Sequence, residues 1–300
     1  MNKLLKILIF IVTTSFISSH LYASEVVRLE NKIFDNSIYK PSKNEILKLI
    51  KKKENTQYWY GVYLGNEKIG WLRRKSKTYQ SDKFNQPVFE LAAELNLSSN
   101  EPGNDGKFFV SNSKFSWQAI YEANAPFRLI EHHENYQIDD AESSISVEAQ
   151  GLNFKIEYKD NKEKNTTEIL LENLDHSLYD TLATYAWYAN DTKKINDVVS
   201  NIEFSFQDLK YILTQNTIEE ITKKKVSGVD FTYFKVNSLD RGEIEEENLS
   251  FQSLIDQDGL EIKFFIGDSE LRLETEKNAK NIELVSDVFV DLGIVVENSF

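Results

Sequence analysis

The sequence predicts a mainly β, α+β fold: curved antiparallel sheets or half-barrels packed on one amphipathic helix. Three observations carry this. Apolar and polar residues alternate in many short runs, the period of a half-buried strand. Gly, Asn, Asp and Pro separate those runs at short intervals, as hairpin turns require. Only one stretch, 175–190, carries a sustained helical period.

Taken in order, Met1 to Ala23 reads as a secretory signal peptide. Lys3 and Lys6 precede an apolar run from Ile7 to Ile17, and Leu21-Tyr22-Ala23 offers cleavage before Ser24. The alternative, an uncleaved membrane anchor, needs about 20 apolar residues, and this run is shorter. The expected location is therefore periplasmic or secreted, with no membrane span after cleavage. The 300 residues contain no cysteine. Disulfides, cysteine lipidation and thiol nucleophiles are excluded, and stability must come from the core. The formal net charge of −13 becomes −15 once Lys3 and Lys6 are removed with the leader, which argues against nucleic acid as a partner.

Residues 24–56 read as a connector plus a short helix. Ser42 and Glu45 form a capping box, Ile46, Leu47 and Ile50 give an apolar stripe, and Lys51-Lys52-Lys53 suits the helix C-terminus. Residues 57–174 form the first predicted β-rich unit. It opens on a hairpin whose first strand puts Tyr58, Tyr60, Val62 and Leu64 on one face and Trp59 and Tyr63 on the other. Gly65 and Asn66 turn the chain, and Ile69 and Trp71 return. Gly61 and Gly70 leave room for a ring from a neighbouring strand. Strands follow at 87–97, 108–110, 115–121, 145–149, 152–158 and 167–171. A polar loop is predicted at 98–106, and Ala125-Pro126 interrupts the sheet.

Residues 175–300 hold the helix and a second β-rich unit, and the two units admit a reading as one continuous domain. The helix, Asp175 to Asn190, is capped by Asp175 or Ser177. Leu178, Leu182, Tyr185 and Ala186 share one face, widened by Trp187 and Tyr188. Trp187 is read as core in preference to a ligand-stacking ring, because the stripe already commits the helix to a wide buried arc. Strands follow at 202–206, 211–213, 218–226, 229–236, 251–255, 262–266 and 271–273, with a terminal helix at 278–285. Gly151-Leu152-Asn153-Phe154-Lys155-Ile156 echoes Gly259-Leu260-Glu261-Ile262-Lys263-Phe264, a short hint of duplication.

No catalytic constellation can be assembled. His132 and His133 are adjacent and face opposite ways in a strand, His176 starts a helix, and none has metal-pair spacing; solvated histidines are expected. Asp139-Asp140 and Glu243 with Glu245-Glu246-Glu247 lack calcium-loop spacing. Neither a phosphate loop nor a nucleophile elbow occurs. The expectation is no catalysis, no cofactor and no metal. The candidate ligand or partner surface is aromatic: Tyr58, Tyr60, Tyr63, Trp71 and Trp117.

One resemblance adds to this. Tyr60-Gly61-Val62-Tyr63-Leu64-Gly65-Asn66-Glu67-Lys68-Ile69-Gly70-Trp71 resembles the opening hairpin of the β-rich N-terminal region of bacterial secreted transglutaminase-like proteins. Phe127-Arg128-Leu129, the helix around Tyr179 to Trp187, Val226-Ser227-Gly228-Val229 and Asp287-Val288-Phe289-Val290 follow in the same order. In that family a papain-like Cys-His-Asp core comes next, whereas this chain stops at Phe300. The resemblance implies an accessory module binding a protein, a peptide or an envelope polymer, with a transglutaminase-like core encoded downstream among the candidate partners. The alternative function is an envelope carrier of an apolar ligand, lipid or lipoprotein, held in a curved-sheet pocket. An enzyme working through acid–base carboxylates ranks third.

Overall fold

The predicted hairpin lies at the middle of the sheet, not at its start. The computed structural model describes residues 38–282, apart from 103–107, 161–164, 173, 175, 191–192, 208, 227–228, 242–248 and 267. The first helix, α1 (Lys43–Lys53), has the predicted capping box: the Ser42 N–H donates to Glu45 Oε2 at 2.6 Å and Ser42 Oγ accepts from the Glu45 N–H at 3.4 Å. Its buried stripe is Ile46, Leu49 and Ile50; Leu47, expected on it, is 37% exposed.

Fourteen strands form one sheet in the order β8-β7-β6-β5-β4-β3-β2-β1-β14-β13-β12-β11-β10-β9. The strands are β1 (Thr56–Leu64), β2 (Glu67–Ser81), β3 (Gln86–Pro102), β4 (Phe108–Glu122), β5 (Leu129–Ile138), β6 (Ala141–Gln150), β7 (Asn153–Asp160) and β8 (Asn165–Leu171). After the helices come β9 (Val198–Ser205), β10 (Lys210–Val226), β11 (Val229–Arg241), β12 (Leu249–Asp256), β13 (Glu261–Ile266) and β14 (Ser269–Glu274). Each strand pairs antiparallel with its sequence neighbour, except that β8 and β9 do not pair; the β1–β14 ladder instead joins the two halves. The regions drawn from sequence as two β-rich units therefore share one sheet.

Several strands run longer than the sequence predicts. The ladder of β3 and β4 continues through Ser98–Pro102, where a loop is expected, and 108–110 and 115–121 are one strand. Cross-strand pairing overrides local turn propensity there. At the hairpin, Gly65 takes φ +59, the left-handed conformation a two-residue turn needs. A Cβ on Gly61 would meet the Tyr63 ring at 2.7 Å, from its own strand; on Gly70 it would meet the Asn96 carbonyl oxygen at 2.2 Å. The echoed glycines, Gly151 and Gly259, both have positive φ and lead into β7 and β13.

The sheet is strongly curled. β7 and β9 hold the second and fourteenth places, twelve spacings apart. Laid flat, at about 4.8 Å per spacing, they would be about 58 Å apart. Yet Phe154 of β7 and Phe206, just after β9, have ring centroids 6.0 Å apart, and the Tyr158 hydroxyl donates to the Phe206 carbonyl. The ends meet through side chains while β8 and β9 stay separate, so the ring is open along that seam.

The enclosed face holds the core. Tyr60, Leu72, Phe89, Leu95, Trp117 and Phe264 belong to one cluster that also contains Leu178, Leu182 and Ala186. The single predicted helix is in fact two, α2 (Leu178–Thr181) and α3 (Ala183–Ala189), broken at Leu182, whose φ −105 and ψ 7 are non-helical. Ser177 is the N-cap, its N–H donating to Asp180 Oδ2 at 3.2 Å. Trp187, expected in the core, is only half-buried, with the Lys193 ammonium 4.4 Å over its ring. The neighbouring Tyr188 is the buried ring, in a second cluster with Ile218, Phe234, Val236 and Ile255. Near the C-terminus, α4 (Glu276–Lys280) covers part of the outer face; of the helix expected over 278–285, Asn281 and Ile282 lie beyond its end, and 283–285 fall outside the described residues.

Candidate functional site: a filled interior and a hollow on the outer face

The aromatic residues singled out from sequence do not form one surface. Tyr58, Tyr60 and Trp117 sit on the inner face; Tyr63 and Trp71 lie on the outer one. Alternation decides this, since odd and even positions of β1 face opposite ways. Tyr60 is buried and donates to the Glu261 carbonyl at 3.1 Å. Trp117 is buried with its ring stacked on His132. Outside, the Tyr63 hydroxyl donates to Glu274 Oε1 at 2.5 Å under the Arg272 guanidinium, and Trp71 leans on Trp59, 5.2 Å between centroids.

Two clusters of ionisable groups lie inside, the first of them passed over in the sequence reading. In the first, Arg74 Nη1 donates to Glu261 Oε2 at 2.5 Å, with only 10% and 13% of the two side chains exposed. The Lys53 ammonium sits 3.9 Å over the Tyr185 ring. Burial, with Arg74 and Lys52 close by, pushes the Lys53 ammonium down to about 8. A signal for Arg74 was present: Arg73, Arg74 and Lys75 are consecutive in a strand, so one of them must point inward.

The second cluster corrects the expectation of solvated histidines. His132 and Glu134 share the inner face of β5, with His132 Nε2 2.7 Å from Glu134 Oε1, and the Tyr136 hydroxyl donates to the same carboxylate. His133 faces outward, as alternation requires. His176 is buried, 3.4 Å from the Tyr121 hydroxyl, which is also 3.0 Å from Thr181 Oγ1. Burial, with His132 nearby, drives the His176 imidazolium down to about 3, so the ring is neutral. His132 with Glu134 has the form of a base and its orienting carboxylate. The space beside them, about 10 Å3, takes one water and no substrate. Among the described residues no group of three His, Cys, Asp or Glu is placed to hold a metal ion.

Among the described residues, the cavities on the enclosed face are small. A cavity of about 40 Å3 lies beside Tyr60 and Arg74, and another of about 60 Å3 is bordered by Tyr188, Asn201, Asn216, Ser238 and Ser253. At about 10–15 Å3 per water, these hold a few waters and not a fatty acyl chain. Hydrogen-bonded polar groups line one side of the second, with Phe251, Ile255 and Phe264 on its border: Ser238 Oγ donates to Asn216 Oδ1 at 2.6 Å, and Thr184 Oγ1 to Asn201 Oδ1 at 3.1 Å. The Tyr188 hydroxyl is buried there without a hydrogen-bond partner.

The outer face offers more room. Lys75, Ala92, Gln118 and His133 stand opposite one another across β2 to β5. Ala92 is the short residue in that row, and Ser116 is the short one in the next. A hollow of about 200 Å3 results, walled by Arg73, Lys75, Gln118, His133 and Asn135. Arg73 pairs with Glu94 at 2.5 Å, and Lys75 and Lys77 stand 3.6 and 3.0 Å from Glu90.

No family model matches the chain, and no curated protein matches it. Among solved structures it is similar to a crystal structure of a β-barrel-like protein of domain of unknown function DUF1849 from Brucella abortus. The TM-score is 0.48 at 9% identity, over 73% of this chain and 94% of that one. At that level the likeness bears on neither activity nor partner. No helix among the described residues is long and apolar enough to cross a membrane.

Proposed function

We propose that the protein is a non-catalytic, extracytoplasmic β-rich binding module that engages its partner, a protein, a peptide or an envelope polymer, on the outside of the curled sheet. The filled interior carries this reading. Helices α2 and α3 occupy the enclosed face and leave cavities of about 40 and 60 Å3, while the roomiest hollow described, about 200 Å3, opens outward beside Gln118 and His133. The leader-like start supports the location, and the accessory role follows the resemblance to regions preceding a transglutaminase-like core.

The carrier reading makes the opposite demand on the interior, so one experiment separates the two. Purified protein is titrated with a fluorescent fatty acid, and in cells a photo-crosslinking residue replaces Gln118. The module reading expects no saturable fatty-acid uptake and a discrete envelope adduct from position 118. Saturable uptake with no adduct would install the carrier instead. Mass spectrometry of protein from cells should show a Ser24 start in the extracytoplasmic fraction; an intact Met1 on cytoplasmic protein would remove the location.

A further inference from the structure

Lys53 ends α1 beside the cavity of about 40 Å3 that Tyr58, Tyr60, Arg74, Tyr185 and Glu261 also border. Its backbone is fixed there: the Lys53 carbonyl accepts from Thr56 Oγ1 at 3.1 Å and from Ser76 Oγ at 2.6 Å. Lys53 is half-buried, and among the described residues its ammonium makes no ion pair; its partner is the Tyr185 ring, 3.9 Å away. Asp256 and Glu261, the acids that act on it, are engaged elsewhere. Glu261 holds Arg74, and Asp256 Oδ1 accepts from the N–H groups of Asp258 and Leu260, both at 2.8 Å. Asp258 in turn holds the adjacent Lys52. Two cations, Arg74 and Lys52, thus crowd an amine left with a ring, which supports an ammonium less than a carboxylate in the same place would. Desolvation and a neighbouring cation are what make a lysine nucleophilic.

We propose that the Lys53 amine is a covalent capture site for a short-chain aldehyde, held as an imine. With its ammonium at about 8, roughly one Lys53 in four is neutral at pH about 7.5, against about one in a thousand for an ordinary lysine. The Nζ lone pair attacks the aldehyde carbon, and the carbonyl oxygen takes up one amine proton. The carbinolamine then loses that oxygen with the second amine proton, so a C=N bond replaces C=O and water departs. The reaction needs no oxidant, no reductant and no other leaving group. Space fixes the class. About 40 Å3, at about 10–15 Å3 per water, holds a chain of roughly three non-hydrogen atoms and not an aromatic aldehyde. An acyl or phosphoryl donor would bring a leaving group for which that cavity has no room. The site lies on the enclosed face, so it stands or falls independently of binding on the outer face.

The test treats the full chain briefly with propionaldehyde and cyanoborohydride, which reduces each imine to a stable propyl amine. Sites are mapped by tandem mass spectrometry of chymotryptic peptides. Lys52 is the internal reference, adjacent in sequence but exposed and ion-paired. At pH about 7.5 Lys53 should be labelled at least about tenfold faster than Lys52, the excess of neutral amine being reduced by weaker nucleophilicity and half-burial. Its rate should level off above pH of about 8, where that of an ordinary lysine still climbs. Two variants separate activation from mere access. Arg74→Met releases Glu261 to pair with Lys53, and Lys52→Gln, at an exposed position, removes a cation and frees Asp258. In each, labelling of Lys53 should fall several-fold relative to wild type, and Lys52→Gln leaves the buried Arg74–Glu261 pair intact. Labelling of Lys53 no faster than that of Lys52 would overturn the proposal. So would labelling only after denaturation, or rates unchanged in both variants.

Discussion

The Arg74–Glu261 pair ties β2 to β13 across the enclosed face, and its removal has a magnitude that can be worked out. With about 4 Å between charge centres and an effective dielectric constant of about 20, the attraction is about 4 kcal/mol. Truncating one partner leaves the other charged and buried, which costs about 3–5 kcal/mol, while replacing both is far milder. Arg74→Met and Glu261→Gln should each cost about 3–4 kcal/mol. The double variant should cost much less than their sum, giving a coupling energy of about 2–3 kcal/mol. Both residues make further contacts, so the coupling and not either single value measures the pair. Urea denaturation followed by tryptophan fluorescence provides the assay, with unchanged m-values as the check that the cycle compares like with like. Single losses that add to within about 0.5 kcal/mol would mean the two charges are solvated separately, and the buried-pair account would fail.

Four further outcomes rest on the buried histidine, an unpaired hydroxyl, the helix break and a close strand approach. The His176 imidazole stays neutral when folded down to about pH 3 but titrates near 6.5 when unfolded, so the unfolded state alone gains a proton as pH falls from 6.5 toward 3. At pH 5 that removes on the order of 2 kcal/mol of stability, and His176→Gln should flatten the acid limb of the Tm–pH curve. Tyr188→Phe discards a buried hydroxyl that has no partner, so Tm should hold or rise; a loss above about 1 kcal/mol would show that the hydroxyl is bonded. Leu182→Ala should cost about 2–5 kcal/mol, because Leu182 is fully buried between the two helices, and half-buried Trp187→Ala should cost less; the reverse ranking in denaturation midpoints would contradict the packing. Gly70→Ala must displace the Asn96 backbone and should cost about 2–4 kcal/mol, whereas an unchanged midpoint would place those strands farther apart.

Strands, turns and the first helix were legible from residues because their causes are local. The Ser42–Glu45 box, the left-handed turn at Gly65 and the alternation of β1 each need only a few neighbouring residues. Composition likewise ruled out disulfides and thiol chemistry without a fold. Tertiary structure decided what lies inside. Alternation says that Tyr60 and Arg74 each share a face with every second residue of their strands, not that Glu261 awaits both; that meeting depends on the β1–β14 ladder, formed by segments some two hundred positions apart. The same long-range pairing extended the β3–β4 ladder through a sequence that reads as loop, and the long helix is broken at Leu182, a residue fully buried in the core. Burial of His132 and Glu134 escaped the sequence because a strand's two faces are chemically symmetric until the sheet curls and makes one of them the interior.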